Sequence, residues 1–167
     1  MKDPKRAFLR HTLATIAYRA AKVERDAPPG FADFQLGKGA RTPVEIVAHM
    51  GDLFDWALTI AQGKNDWVQS RPQSWRNEVA RFHASLLALD RYLSSDAPLG
   101  ASAEELFQGP ISDALTHIGQ IAIMRRQDAS PVRSEVYAKA DIAPGRVGAE
   151  QPKSPFEFDS PPVTGPP

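Results

Sequence analysis

The segment ISDALTHIGQIAIMRR, residues 111–126, places three polar side chains at helical spacing in an otherwise apolar and basic stretch. Asp113 and His117 are four residues apart, and Gln120 follows at the next turn. On a helix, this spacing puts side chains on one face with about 5–6 Å between Cβ atoms, close enough to chelate one ion. The same spacing is also typical of a polar helix edge that faces water. The spacing alone does not distinguish part of a metal site from a helix edge that faces water. Residues elsewhere in the chain are needed for that distinction.

His49 falls on the apolar side of its own predicted helix, on one line with Ile46 and Leu53. A buried imidazole needs partners for both ring nitrogens, because it otherwise loses its hydration without replacement. The partner could be a backbone carbonyl or a neighbouring carboxylate such as Glu45 or Asp52. The alternative partner is a metal ion shared with residues of another helix.

If the second and fourth predicted helices are neighbours, His49, Asp113 and His117 offer two imidazoles and one carboxylate to a single ion. Such a set leaves coordination positions open for water or substrate, as in catalytic rather than structural metal sites. Gln120 would then hydrogen-bond to a metal-bound water or orient a ligand. Since the chain has no cysteine, any metal must be held by His, Asp or Glu.

The other two histidines, His11 and His83, are expected at the surface or at the edge of the core. No acidic or imidazole side chain accompanies His11 at helical spacing, and His83 lies beside Phe82 in the company of Arg81. Neither is predicted to bind metal.

Composition excludes several classes of function. A chain of 167 residues fits one domain with one core. Basic and acidic residues each number 20, so no net field draws the chain to nucleic acid or to an anionic membrane. Charged residues interrupt the apolar part of the N-terminus, unlike a signal peptide, and no run reaches transmembrane length. These features predict a soluble, cytoplasmic protein that binds neither nucleic acid nor membrane.

These side chains lie on predicted helices, which have apolar residues at three- and four-residue steps. In chain order, they are predicted at residues 4–25, 43–62, 74–93 and 110–127. Thr42 and Pro43 form a typical helix start, and the pattern from Ser102 to Glu105 matches the capping box of a short extra helix. No segment shows convincing strand alternation. The expected fold is all-α, a four-helix bundle over residues 1–127 with one short extra helix before its last helix.

The chain changes character from Asp128 onward, because eight of its fifteen prolines lie there and helical or strand periodicity is lost. Residues 128–167 are therefore predicted to form an extended tail. Seven apolar side chains are expected to dock it in part on the bundle: Val132, Val136, Tyr137, Ile142, Val147, Phe156 and Phe158. The last eight residues are expected to be mobile.

Two stretches, TPVEIVAHMGDLFDWAL at residues 42–58 and DALTHIGQIAIMRR at residues 113–126, resemble the DinB/YfiT-like superfamily of bacterial four-helix-bundle metalloenzymes. In that family, a histidine early in the second helix joins a His-x-x-x-His pair of a late helix in binding a divalent metal. The resemblance covers residues 5–127 and implies that His49 and His117 are ligands. Asp113 departs from it, since the family has a histidine there. A carboxylate still coordinates zinc, nickel or iron, so the departure predicts an altered metal preference or a lapsed site.

The resemblance also implies an activity, because family members include thiol-dependent transferases and isomerases in which the metal activates the thiol. A small-molecule substrate and a low-molecular-weight thiol are therefore the expected partners. Glu45 or Asp52 would supply a carboxylate beside the metal or a general base, and Arg125 or Arg126 would bind an anionic substrate. A metal-dependent hydrolase requires the same site.

The alternative is a non-catalytic metal-binding or interaction protein, a homodimer formed through helix faces. In that case, the polar residues of the second and fourth helices form a buried hydrogen-bond network rather than a catalytic site.

Overall fold

The computed structural model describes residues 3–159, and this part of the chain is mostly helical. The α-helices in chain order are α1 (Pro4–Glu24), α2 (Pro43–Ala61), α3 (Trp75–Ser94), the short α4 (Ala103–Leu106) and α5 (Ser112–Gln127). A π-helical segment, Phe107–Ile111, joins α4 to α5. The prediction of an all-α fold is confirmed. None of the helices in residues 3–159 has both the length and the apolar character needed to cross a membrane.

Local sequence explains where α2 and α5 begin. At the start of α2, the Glu45 backbone N–H donates to Thr42 Oγ1, and the Thr42 backbone N–H donates to the Glu45 carboxylate at 2.8 Å. This capping box satisfies two N–H groups that a helix start leaves unpaired. Before α5, Gly109 has φ −85° and ψ −107°, outside the helical range, and Pro110 follows it. The two residues kink the chain, so α5 begins as a helix with its own direction.

Within residues 3–159, the four long helices contribute to one hydrophobic core. Phe54 of α2 and Phe82 of α3 pack ring to ring, with 5.8 Å between their centroids. Further core residues from α1, α3 and α5 are Leu13, Ile16, Leu89 and Ile121. Because α2 also packs against α5, the polar residues of these two helices lie close together.

The tail beyond α5 is irregular in conformation but packs on the helices. Val147 is buried in the core, and the partly buried Val132 packs against the core. Two short strands, β1 (Ser134–Glu135) and β2 (Glu157–Phe158), pair antiparallel. Strands of two residues are too short to show alternation, so the sequence did not indicate them. Three apolar side chains expected to dock remain exposed: Val136, Phe156 and Phe158. The eight residues predicted to be mobile, 160–167, lie outside the described part.

A buried ion-pair network joins the tail to α1. Lys22 Nζ lies 2.6 Å from Glu135 and 2.8 Å from Glu157, and the Lys22 and Glu135 side chains are only 3% and 0% exposed. Arg25 reaches Glu157 at 2.7 Å. The Tyr18 hydroxyl donates to Glu135 at 2.6 Å, and burial together with this bond raises the pKa of Tyr18 to about 12. The buried carboxylate of Glu135 thus has both a cation and a neutral donor as partners.

The structure corrects the expectation that His83 lies at the edge of the core. Its side chain is buried, with Nδ1 2.8 Å from the Val147 carbonyl oxygen and Nε2 2.8 Å from Glu24 Oε2. Both partners accept hydrogen bonds, so the ring donates from both nitrogens when it is protonated. Burial opposes the charged ring, but the hydrogen bond and the negative charge of Glu24 outweigh it and raise the pKa of His83. The sequence did not indicate this role because both partners lie far from His83 along the chain.

This buried pair should make stability depend on pH. Because the pKa of His83 is raised in the folded state, the pair stabilises the fold fully at pH values below the unfolded pKa of 6.5. This stabilisation is lost as the pH rises through the folded pKa. We therefore expect the His83 contribution to the free energy of unfolding to fall as the pH rises from below 6.5 through the raised folded pKa. Urea unfolding at a series of pH values on both sides of 6.5 would measure this, and His83→Gln should remove the component.

The exposed His11 offers a matched control for this measurement. His11→Gln should keep the pH dependence of the wild-type protein, because a solvated imidazole has no buried partner to lose. Equal pH dependence in the wild-type protein and in His83→Gln would contradict the expectation.

Candidate metal centre

His49, Asp113 and His117 converge where α2 packs against the first turns of α5. Each residue offers one ligand atom, and these atoms all lie within 4.8 Å of one another. Asp113 Oδ2 lies 3.7 Å from His49 Nε2, and Asp113 Oδ1 lies 3.5 Å from His117 Nε2. Ligand atoms on a tetrahedral ion at about 2.0–2.2 Å lie roughly 3.3–3.6 Å apart. The three predicted ligands therefore form a group that could hold a metal ion.

The two imidazole rings form the inner part of the group, and the carboxylate forms its outer part. The rings are nearly perpendicular, at 88°, with 4.8 Å between their centroids. The side chains of His117, His49 and Asp113 are 10%, 17% and 47% exposed, respectively. The nitrogen donors are thus enclosed by the helices, while the side of Asp113 is open to solvent.

Gln120 orients the His117 ring. Its Oε1 atom lies 3.0 Å from His117 Nδ1, on the same helix. Because an amide oxygen only accepts, Nδ1 carries the hydrogen of this bond and Nε2 keeps its lone pair. Nε2 is also the His117 atom that lies near Asp113. The contact therefore favours the tautomer that a metal ligand needs.

The carboxylates of Glu45 and Asp52, which were predicted to lie beside the metal, have other partners. Glu45 accepts the Thr42 backbone N–H as part of the helix cap. Asp52 is buried, lies 2.9 Å from Arg81 Nη1 and accepts the Ser70 backbone N–H at 3.0 Å. Its ion pair fastens the loop between α2 and α3 to both helices. Both residues thus have structural roles, and both line a pocket together with His49, so a general base at either of them stays a prediction.

Arg125 is likewise structural, contrary to the expectation that it binds an anionic substrate. Its guanidinium is buried and donates to the backbone carbonyl oxygens of Val23, Arg25 and Asp26. These carbonyls lie at the C-terminal end of α1, where unpaired acceptors attract a cation. Burial lowers the pKa of Arg125. Its neighbour Arg126 is exposed.

Two further residues beside His49 were not evident from the sequence. Trp67 packs edge to face on the His49 ring, with 5.7 Å between centroids. Arg41 lines a pocket of about 120 Å³ together with His49. Burial, and then the positive charge of Arg41, lower the pKa of His49, which favours the neutral ring that binds metal. Both residues lie outside helices, where no periodic pattern marks the side chains that meet a site.

The donor set suits a divalent transition metal. Two neutral imidazoles and one carboxylate are ligands that zinc, nickel and iron accept, and three protein ligands leave room for a further molecule. Comparisons of the chain with protein-family models, curated proteins and solved structures find no match. The chemistry of the donor set is therefore the basis for inferring a function.

Proposed function

We propose that this protein is a divalent-metal-dependent enzyme of the DinB-like four-helix-bundle type, acting on a small molecule with a low-molecular-weight thiol as cosubstrate. The reaction would be a transfer or an isomerisation. The observation that carries the proposal is the convergence of His49, Asp113 and His117, whose ligand atoms lie within 4.8 Å of one another. The order of the long helices, with the ligands on α2 and α5, supports the same assignment.

His49 and His117 would hold the metal through ring nitrogens and Asp113 through a carboxylate oxygen. A metal bound there supplies a Lewis acid that lowers the pKa of a bound thiol or water and so provides a nucleophile at neutral pH. Gln120 keeps the His117 ring in its orientation, and the packing of α2 on α5 shields both rings from water. The open side at Asp113 gives a small molecule access.

Asp113 replaces the neutral histidine of the family pattern with a negative charge. One carboxylate reduces the net charge of the centre on metal binding and adds a hard oxygen donor to two nitrogen donors. This donor set resembles the two-histidine, one-carboxylate group that binds iron in non-haem enzymes and also suits zinc. The substitution therefore supports an altered metal preference over a lapsed site.

Elemental analysis and a thiol-transfer assay test the proposal together. Protein purified without a nickel column should retain about one transition metal ion per chain, since the group provides a single set of three ligands. With chlorodinitrobenzene as a general electrophile, the protein should consume glutathione, mycothiol or bacillithiol faster than the protein-free reaction does, and this excess rate should disappear after treatment with a chelator. The activity should return when metal is added back.

Each part of the proposal has its own contrary outcome. Protein that binds no metal, and whose stability does not change when metal is added, would contradict the metal centre. Stoichiometric metal without any thiol-dependent reaction would contradict the enzyme and favour a non-catalytic metal-binding protein.

A further inference from the structure

Trp67 extends the candidate metal centre on the side of His49. The Trp67 ring contacts the His49 ring, and Trp56 packs edge to face on Trp67 with 5.7 Å between centroids. On its other side, the His49 ring meets that of His117. Four rings thus follow one another, from the metal ligands to the indoles. The Trp67 indole is therefore the aromatic ring next to the candidate metal centre on the His49 side.

The loop that carries Trp67 is anchored on both sides of it. Before Trp67, Asn65 Oδ1 accepts the Trp56 Nε1–H at 2.7 Å, and after it, the Ser70 backbone N–H donates to a carboxylate of α2. Between these anchors, Trp67 and Val68 are 43% and 72% exposed. An exposed large apolar side chain loses the free energy of burial, so Trp67, which a fixed loop holds against the His49 ring, marks a binding surface.

The Trp67 ring is also free of the cations that cover other aromatic rings. Within the described part of the chain, Arg and Lys side chains lie over the rings of Tyr137, Phe31 and Phe156, and none lies over Trp67. Its exposed surface is therefore open to an apolar planar group, which aromatic side chains contact by stacking or edge to face.

We propose that Trp67 belongs to the substrate site and that the substrate carries an aromatic or similarly planar apolar group next to its metal-binding group. This inference rests on the proposed metal centre and names the class of substrate that the centre takes. The indole of Trp67 binds the planar group, while the metal holds the polar end of the same molecule. Trp67 therefore selects among small molecules that offer the metal the same ligand.

Acetohydroxamate and benzohydroxamate are suitable probes, because they share one metal-binding group and differ in a methyl against a phenyl group. Their affinities for zinc-loaded protein can be measured by calorimetry, with the metal content determined in each sample. We expect benzohydroxamate to bind the wild-type protein about tenfold more tightly than acetohydroxamate, from burial and contact of the ring. Trp67→Ala should reduce this ratio to about one to two, and Trp67→Phe should keep most of it.

Val68→Ala is the matched control, since it removes the neighbouring exposed apolar side chain from the same loop. It should leave the ratio of the two affinities unchanged. The inference would be overturned if the ratio of the two affinities were the same in the wild-type protein and in Trp67→Ala. If both proteins retained metal in that case, the result would contradict the role of Trp67 but not the metal centre. Loaded wild-type protein that retains none of zinc, nickel and iron would overturn the proposed function and this inference together.

Discussion

His117→Ala should abolish stoichiometric metal binding. We expect a loss of affinity beyond about 100-fold, because removing only a partner of a ligand already costs about 10- to 100-fold. His117 is the most enclosed of the three candidate ligands, and its ring is oriented by Gln120. Without it, an ion keeps only His49 and Asp113. Competition of the protein with a chromophoric chelator would measure the affinity.

Two further variants make this result specific. Gln120→Ala keeps all three ligands and should weaken metal binding by about tenfold, since only the orientation of His117 is lost. His11→Ala removes an exposed histidine of α1 and should bind metal like the wild-type protein. Circular dichroism of the metal-free proteins separates loss of the ligand from loss of the fold. Wild-type affinity in a folded His117→Ala protein would rule out the centre.

Lys22→Met should lower the free energy of unfolding by about 3–5 kcal/mol, because it leaves the buried Glu135 carboxylate without its cation. Burial disfavours the ionised carboxylate, yet hydrogen bonds from Lys22 and Tyr18 hold the pKa of Glu135 below its ordinary value. The methionine has a similar length, so the change removes the charge more than the packing. Urea denaturation near neutral pH would measure the loss.

The double variant Lys22→Met with Glu135→Gln tests the cause of this loss. Both charges are then absent, and the amide oxygen can still accept from Tyr18, so most of the lost stability should return. A single and a double variant of equal stability would contradict a buried unpaired charge as the cause. The exposed pair of Lys5 and Glu104 is the control, and Lys5→Met should change stability little because water screens that pair.

The geometry of the centre depends on how α5 is held at its two ends. At its start, the kink at Gly109 and Pro110 sets the direction in which α5 leaves the preceding segment. Near its other end, Arg125 donates to carbonyl groups at the end of α1. A helix fixed at both ends presents Asp113 and His117 to α2 in one orientation. This is the arrangement that a preformed set of ligands requires.

The helices and the candidate ligands could be predicted from local patterns in the sequence. The cap at Thr42 and the apolar spacing of α1 and α2 are local signals, and they predicted the ends of these helices to within one residue. Asp113 and His117 were evident because their four-residue spacing lies within one helix. His49 was a candidate ligand because an imidazole on the apolar side of a helix needs a partner for its ring nitrogens.

The roles of the remaining polar residues depend on contacts between distant parts of the chain. His83 contacts Val147, 64 positions away, and Arg125 contacts Val23, 102 positions away. Trp67 meets His49 through a loop that has no period of its own. A local pattern shows which face of a helix is buried, but it does not show which distant acceptor, carboxylate or ring lies opposite. Those partners are set by how the helices and the tail pack, so the roles of these side chains emerged only from the folded chain.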